Sequence, residues 1–188
     1  EGARTMGAWA EDDRLPALDP GRPCPDYQRA SRPFSDNCGV TLSESAQYFV
    51  LVDDELALEL GASIYGSVAD VFINADGYKK SIPGPGVGNY ITVAKAAAVI
   101  RAIIGDKGLK HRSYVHTHGT STPQNRVTES HIINEIAKVN GIGQWPVAAI
   151  KCYLGHSLAF PAGEQLIAAF GTWKYGLIPG SVTSDPLA

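Results

Sequence analysis

The chain has few cysteines. Cys24, Cys38 and Cys152 are the three among 188 residues. An odd number at irregular spacing does not build a disulfide framework, and it is typical of a protein from the reducing cytoplasm. None of the three lies in a metal-binding pattern. We therefore expect a cytoplasmic protein without a structural metal, and we interpret each cysteine as a loop or packing residue.

The sequence also lacks long basic runs and long apolar runs. Lys and Arg number 16 against 19 Asp and Glu, and the longest basic run is Lys79-Lys80. This balance provides no electrostatic surface for nucleic acid. No apolar run is longer than about five residues, and the run 96–100 ends at Arg101, whereas about 20 residues are needed to span a bilayer. We expect neither nucleic-acid binding nor membrane insertion.

The patterns that are present predict an α/β fold. Residues 1–37 are interpreted as an irregular crossing loop, because Asp, Arg and Pro are frequent from residue 11 and periodicity is weak. In residues 38–188 apolar runs alternate with helical patterns, which favours a mixed sheet with covering helices. The predicted strands are 48–52, 64–73, 113–117 and 146–150, and the predicted helices are 55–60, 89–104, 124–139 and 158–175.

Two histidine motifs lie where predicted strands run into loops. The first, Val-His-Thr-His-Gly-Thr-Ser-Thr-Pro, occupies 115–123, and the second, Lys-Cys-Tyr-Leu-Gly-His, occupies 151–156. Ligand sites of open α/β sheets gather where strands end, so His118 and His156 are expected to meet there. Two imidazole N–H groups directed at one oxygen stabilise negative charge that develops on it.

These motifs resemble the C-terminal half of the β-ketoacyl-acyl-carrier-protein synthases, which are decarboxylating condensing enzymes with a thiolase-like fold. The resemblance extends to Ala-Ser-Arg-Pro-Phe at 30–34, to a degraded Gly-Phe-Val-x-Gly-Glu-Gly-Ala stretch at 39–46, to residues 74–85 and to Ile-Pro-Gly at 178–180. It implies a layered α-β-α fold of which residues 1–188 form a single partial domain. The family's nucleophilic cysteine is not in this sequence, and we expect the chain to be an internal piece of a longer polypeptide.

The resemblance also implies roles for individual residues. His118 and His156 would hydrogen-bond the thioester carbonyl of a malonyl unit and stabilise the enolate formed when carbon dioxide leaves. Thr120 and Thr122 would bind the phosphopantetheine arm that carries the substrate. Lys151 would point toward His118 and act through its charge, since a nearby cation favours the neutral form of an imidazole.

Glu129 stands out from the helical pattern itself. On a helix it shares a face with Ile133 and Ile136. Burying an unpaired charge on an apolar face costs on the order of several kcal/mol of folding free energy. Lys151 is the candidate partner. A buried ion pair that only holds the helix and direct handling of a proton both stay open. Arg126 stands where the family usually has an aspartate, so the hydrogen bonds by which that aspartate anchors the loop are not expected here.

The function implied is that of a β-ketoacyl-acyl-carrier-protein synthase in fatty-acid or polyketide elongation. Acyl carrier protein and a second copy of the chain are the expected partners, and no cofactor or metal is expected besides the phosphopantetheine of the substrate. A non-catalytic subunit resembling a chain-length factor, a thiolase-type acyltransferase and a binding domain are the alternatives. Retention of both histidines and Lys151 argues against the first, the threonine-rich loop against the second, and Glu129 on an apolar face against the third.

Overall fold

The computed structural model describes residues 11–12, 24–26, 28–75, 86–159 and 161–181. Most of the predicted crossing loop at 1–37, and residues 76–85 of the family resemblance, lie outside them. The described elements in chain order are β1 Glu11–Asp12, β2 Cys24–Pro25, α1 Asp54–Glu59, α2 Val87–His111, β3 Val115–His116, α3 Pro123–Val139, β4 Val147–Ala148, α4 Lys151–Leu154 and α5 Pro161–Tyr175.

The helices begin and end where local chemistry requires. The side chain of Asp53 caps α1 by accepting from the N–H of Leu56 at 2.8 Å. Thr122 caps α3, and Pro123 occupies its first turn. The predicted helices at 55–60 and 124–139 are thus confirmed. The helix predicted from 158 begins only at residue 161, because Leu158 has a φ of 60° and cannot continue a right-handed helix.

α2 differs from its predicted end at residue 104. The chain turns at Gly105, where φ is 75° and ψ is 171°, and a helical stretch resumes as far as His111. By length and composition α2 could cross a membrane, and 11% of its most apolar window is buried. Core helices of soluble proteins also have such length and composition, so these two properties alone do not identify a membrane span. Within the part of the chain that the structure describes, this helix is mostly exposed.

A short parallel pair of strands organises the site. β3 pairs with β4 in the register Val115 to Val147 and His116 to Ala148. The N–H of Thr117 continues the ladder by donating to the carbonyl of Ala148 at 2.9 Å. Because parallel strands leave the sheet at the same edge, the loop after β3 and the turn after β4 emerge side by side.

The strands predicted at 48–52 and 64–73 are wrong. The structure has no strand there, and most of the apolar side chains are exposed, with Tyr48 95% and Ile73 89% exposed. A strand requires a neighbour for its backbone hydrogen bonds, and within the described ranges these segments have none. The predicted strands at 113–117 and 146–150 are present but shorter.

The described core lies between α2 and α3. Ala97 and Leu109 of α2 pack with Ile136 of α3 and with Ile142 just beyond it, and all four are buried. Trp145 covers this cluster and donates from its indole nitrogen to the hydroxyl of Ser113 at 2.8 Å. The core thereby fixes α3 against Ser113, which lies two residues before β3 and the first histidine motif.

Candidate active site

The ends of β3 and β4 place His118 and Lys151 next to each other. Lys151 is the first residue of α4 and is 3% exposed. Its Nζ donates to the backbone carbonyl of His118 at 2.5 Å. The ammonium group therefore holds the main chain of the histidine rather than its ring.

The two imidazoles of the motifs lie edge to face next to each other. The ring centroids of His118 and His156 lie 5.3 Å apart, and the ring planes are nearly perpendicular at 87°. His156 accepts at Nδ1 from the N–H of Leu158 at 3.0 Å. A neutral ring that accepts at Nδ1 carries its proton on Nε2, so His156 has an N–H group available for a ligand. His118 is partly exposed within the described chain, so a ligand can reach its ring although the surrounding protein shields part of it.

Glu129 holds the same stretch of backbone from the opposite side. Its Oε1 accepts from the N–H of His118 at 2.5 Å, and its Oε2 accepts from the N–H of Gly119 at 2.8 Å. The Nδ2 of Asn125 completes the set at 2.9 Å. The predicted ion pair with Lys151 is not present. Instead, Glu129 binds the N–H of His118 and Lys151 binds its carbonyl, so the backbone of His118 is clamped at both ends.

The predicted helical face around Glu129 is rotated by about one residue. The buried positions of α3 include Thr128, Ile132 and Ile136, and Ile133 is half-buried. Glu129 lies at the edge of this stripe, where its carboxylate reaches the loop after β3. An acid at this edge finds backbone donors, which explains why an ion pair is not required.

Burial and the charge of Lys151 keep both histidines neutral near pH 7. The pKa of His118 is lowered to about 4, mainly because the surrounding protein removes hydration from the ring, with the charges of Lys151 and His156 acting in the same direction. Burial also lowers the pKa of His156. Burial raises the pKa of Glu129, an effect opposed by the N–H groups of Gly119 and His118.

The threonines after His118 are buried and bound to each other. The hydroxyls of Thr120 and Thr122 lie 3.1 Å apart, and the Thr122 hydroxyl also accepts from the N–H of Asn125 as the cap of α3. Gly119 has a φ of 53°, and a Cβ there would come within 3.0 Å of the Ala149 side chain. The loop therefore packs directly against the end of β4, and its hydroxyls act first as turn and cap groups.

Two further histidines lie apart from this pair. His116 contacts Tyr114, whose hydroxyl is 3.0 Å from Nε2 of the imidazole, and His131 is exposed on α3. Among the residues with described positions, no group of three His, Cys, Asp or Glu side chains could hold a metal ion.

The geometry agrees with comparisons to known proteins. A family model described as "Beta-ketoacyl synthase, C-terminal domain" matches residues 65–185, well over half of the chain. The chain belongs to the β-ketoacyl synthase family. It is 57% identical to the β-ketoacyl-[acyl-carrier-protein] synthase FabY of Pseudomonas aeruginosa over 188 residues, which is 100% of this chain and 30% of FabY. It is 36% identical to the 3-oxoacyl-[acyl-carrier-protein] synthase 2 of Synechocystis over 163 residues, or 85% of this chain and 38% of that protein.

Solved structures confirm the predicted thiolase-like α/β fold. The crystal structure of FabY, described as a noncanonical ketosynthase, superposes with a TM-score of 0.88, covering 100% of this chain and 29% of that one. A type II polyketide ketosynthase, AntDE, in complex with its acyl-carrier protein AntF, has a TM-score of 0.74 at 24% identity, covering 98% of this chain and 43% of that one. This second likeness shows the fold alone. The chain spans about a third of the length of the curated relatives it matches.

Two polar residues that lie beside this site were not predicted from the sequence. Glu164 in the first turn of α5 is 7% exposed, and its charge acts on both Lys151 and His156. Its neighbour Gln165 donates from the side-chain amide to the carbonyl of Thr117. The available signal was an acid and an amide in the first turn of an otherwise apolar helix.

We expect replacement of Lys151 by methionine to raise the pKa of His118. The variant keeps most of the side-chain volume but removes the charge that disfavours the imidazolium form. The measurement is an NMR titration of the histidine rings in the complete protein, labelled at histidine. Lys138→Met is the matched control, because Lys138 is exposed on α3 and binds Glu135 at 2.8 Å. An unchanged or lower pKa of His118 in the Lys151 variant would contradict the assigned effect of the charge.

Proposed function

We propose that this chain is part of a β-ketoacyl-acyl-carrier-protein synthase, an acyltransferase that condenses malonyl-carrier protein with an acyl thioester in fatty-acid or polyketide elongation. The observation that supports the proposal best is the pair of neutral imidazoles, His118 and His156, with ring centroids 5.3 Å apart. Two N–H donors on adjacent rings can both reach one carbonyl oxygen that lies beside the pair. Family membership and the likeness to FabY support the same reaction.

In the proposed reaction the carbonyl oxygen of the malonyl thioester accepts hydrogen bonds from His118 and His156. Carbon dioxide leaves, and the electron pair of the broken C–C bond passes into the enolate, whose negative oxygen the two donors stabilise. The enolate carbon then attacks the acyl group on a cysteine outside this sequence. A new C–C bond forms and the cysteine leaves as its thiolate, so that covalent catalysis divides the reaction into two steps.

The neutral state of both rings is important for this step. A neutral imidazole donates one hydrogen bond but carries no positive charge. A positive charge beside the substrate carboxylate would stabilise that anion and oppose its conversion to neutral carbon dioxide. Lys151 and the surrounding protein hold the pKa of His118 near 4. The hydrogen bonds from Glu129 and Lys151 to the backbone of His118 fix the position from which its side chain extends. Charge and position are thus both set before the substrate arrives, as preorganised catalysis requires.

The partners and the location follow as parts of the same proposal. Acyl carrier protein delivers the malonyl group on its phosphopantetheine arm, and Thr120 and Thr122 bind that arm by exchanging the hydrogen bond between their hydroxyls. The protein acts in the cytoplasm as a homodimer, without a resident cofactor or metal. A non-catalytic subunit would gain nothing from a histidine whose backbone is clamped at both ends, so the catalytic function is favoured.

The test is the reaction of the complete protein with an acyl-loaded and a malonyl-loaded carrier protein. We expect release of carbon dioxide and a 3-oxoacyl product, measured as trapped bicarbonate and as the mass of the loaded carrier. His131→Ala is a control that should keep both activities, because His131 is exposed and outside the pair. Absence of both products from the folded parent protein would reject the proposed function, and release of carbon dioxide alone would reject the condensation step.

A further inference from the structure

Residues 28–43, called the strap below, form a closed loop beside the histidine pair. Arg29 makes two hydrogen bonds to the carboxylate of Asp36, at 2.9 and 2.7 Å, and a third to the carbonyl of Asn37 at 3.1 Å. Ser35 and Asn37 are 0% and 2% exposed. Because Arg29 bonds residues 36 and 37 and the middle of the strap is buried, we expect the strap to behave as a rigid unit.

One end of the strap is bonded to His156. The N–H of His156 donates to the carbonyl of Thr41 at 2.7 Å, and its carbonyl accepts from the N–H of Ser43 at 3.2 Å. The approach is close, because a Cβ on Gly155 would lie 2.8 Å from the carbonyl oxygen of Thr41. His156 therefore follows any displacement of the strap.

The middle of the strap is bonded to α3 through Arg126. Its Nη1 donates to the carbonyl of Ser35 at 2.6 Å across 91 residues of chain. Arg126 precedes Glu129 by one turn of the same helix, and Glu129 holds the backbone of His118. The strap thus connects the segment that carries one histidine to the helix that clamps the other.

The chemistry at the strap explains why an arginine stands at this position. The carbonyl of Ser35 requires a donor, and the Asp36 carboxylate lies nearby. The pKa of Asp36 is lowered, first by its hydrogen bond from Arg29 and further by the charge of Arg126. An acidic side chain at position 126 would meet an acceptor and a second carboxylate. The guanidinium group supplies both the donor and the opposite charge.

We propose that Arg126 is a positioning residue, which sets the spacing of His118 and His156 by tying the strap to α3 through the carbonyl of Ser35. This proposal rests on the proposed function, because the spacing matters for a substrate oxygen that accepts from both rings. Arg126 itself does not contact the rings. Its loss would leave the Ser35 carbonyl buried without its donor and let His156 move with the strap.

The experiment compares Arg126→Met, Arg126→Lys and the parent in the complete protein, with malonyl-carrier protein as substrate. We expect Arg126→Met to lower kcat for release of carbon dioxide by about tenfold or more, since a misplacement of about 1 Å can cost on the order of 100-fold. The KM for malonyl-carrier protein should stay unchanged. Arg126→Lys keeps a charged donor and should recover most of the loss. Rates are normalised to the folded fraction of each variant.

Three results would overturn the proposal: a parental kcat in Arg126→Met, an equal loss in Arg126→Lys, or a rise in KM at constant kcat. If Arg126→Met does not fold, Arg126→Gln replaces it, because its shorter amide cannot reach the Ser35 carbonyl and the same loss of kcat is expected. Lys138→Ala on the exposed face of α3 is the control. A parent that releases no carbon dioxide would instead reject the proposed function, so the two failures are distinguishable.

Discussion

Replacement of His156 by alanine is expected to reduce kcat for malonyl decarboxylation on the order of 100-fold to 1000-fold, as observed when one donor of an oxyanion hole is removed. The reason is that a hydrogen bond to the enolate oxygen strengthens as the charge develops, so its loss falls on the transition state more than on the bound substrate. The KM for malonyl-carrier protein should change much less. The measurement is the initial rate of carbon dioxide release by the complete protein.

The same argument extends to His118 and to the pair. His118→Ala should show a loss of similar size, and the double variant should lose less than the product of the two single losses, because groups that act as a unit are not additive. His156→Asn retains an N–H donor and should recover part of the rate, whereas the control His131→Ala should retain all of it. A His156→Ala variant with the parental rate would show that the two rings do not form the oxyanion site.

The pH dependence of the parent follows from the same geometry. Because the pKa of His118 is held near 4, its ring stays neutral when the pH falls from 8 to 5. No acid limb from this residue is therefore expected across that range, in contrast to a histidine with an ordinary pKa of about 6.5.

The elements that were predicted correctly are those whose signals are local. The cap and proline at the start of α3 define that helix within a few residues, and the short α1 is equally well marked by Asp53. The two histidine motifs were found because each joins an apolar strand to a glycine-containing turn. Their meeting in space follows from the parallel pairing of β3 with β4, which brings both turns to one edge.

The features that were missed depend on partners that sequence patterns do not reveal. Apolar runs at 48–52 and 64–73 indicate burial, but strand formation needs a neighbouring strand, and the described residues provide none for them. Lys151 was predicted as the partner of Glu129, but the Glu129 carboxylate accepts from backbone N–H groups instead. Every residue except proline has such a group, so a side-chain pattern does not show which one is used. The substitution at Arg126 was noticed, but its compensating acceptor lies 91 residues away.

Replacement of Glu129 by alanine is expected to lower the free energy of unfolding by about 2 kcal/mol, because two partly buried donors, the N–H of Gly119 and the side-chain amide of Asn125, lose their acceptor. Each such donor left without an acceptor costs about 1–3 kcal/mol. The N–H of His118 also loses its acceptor, but this group is exposed and can bind water instead. Lys151 also loses the nearby negative charge that raises its pKa. The loss is a large share of the total stability of a typical domain, which is about 5–15 kcal/mol.

The free energies are measured by urea unfolding of the complete protein, together with the rate of carbon dioxide release per folded molecule. Glu129→Gln should lie between the parent and Glu129→Ala in stability, because its amide keeps one acceptor oxygen but turns an NH2 group toward a donor. The matched control is Glu135→Ala on the same helix, whose exposed carboxylate binds Lys138 and whose loss should have no measurable effect. If Glu129→Ala were as stable and as active as Glu135→Ala, the carboxylate would not hold the loop, and the position of His118 would have to be set by Lys151 and the packing of Gly119 against β4 alone.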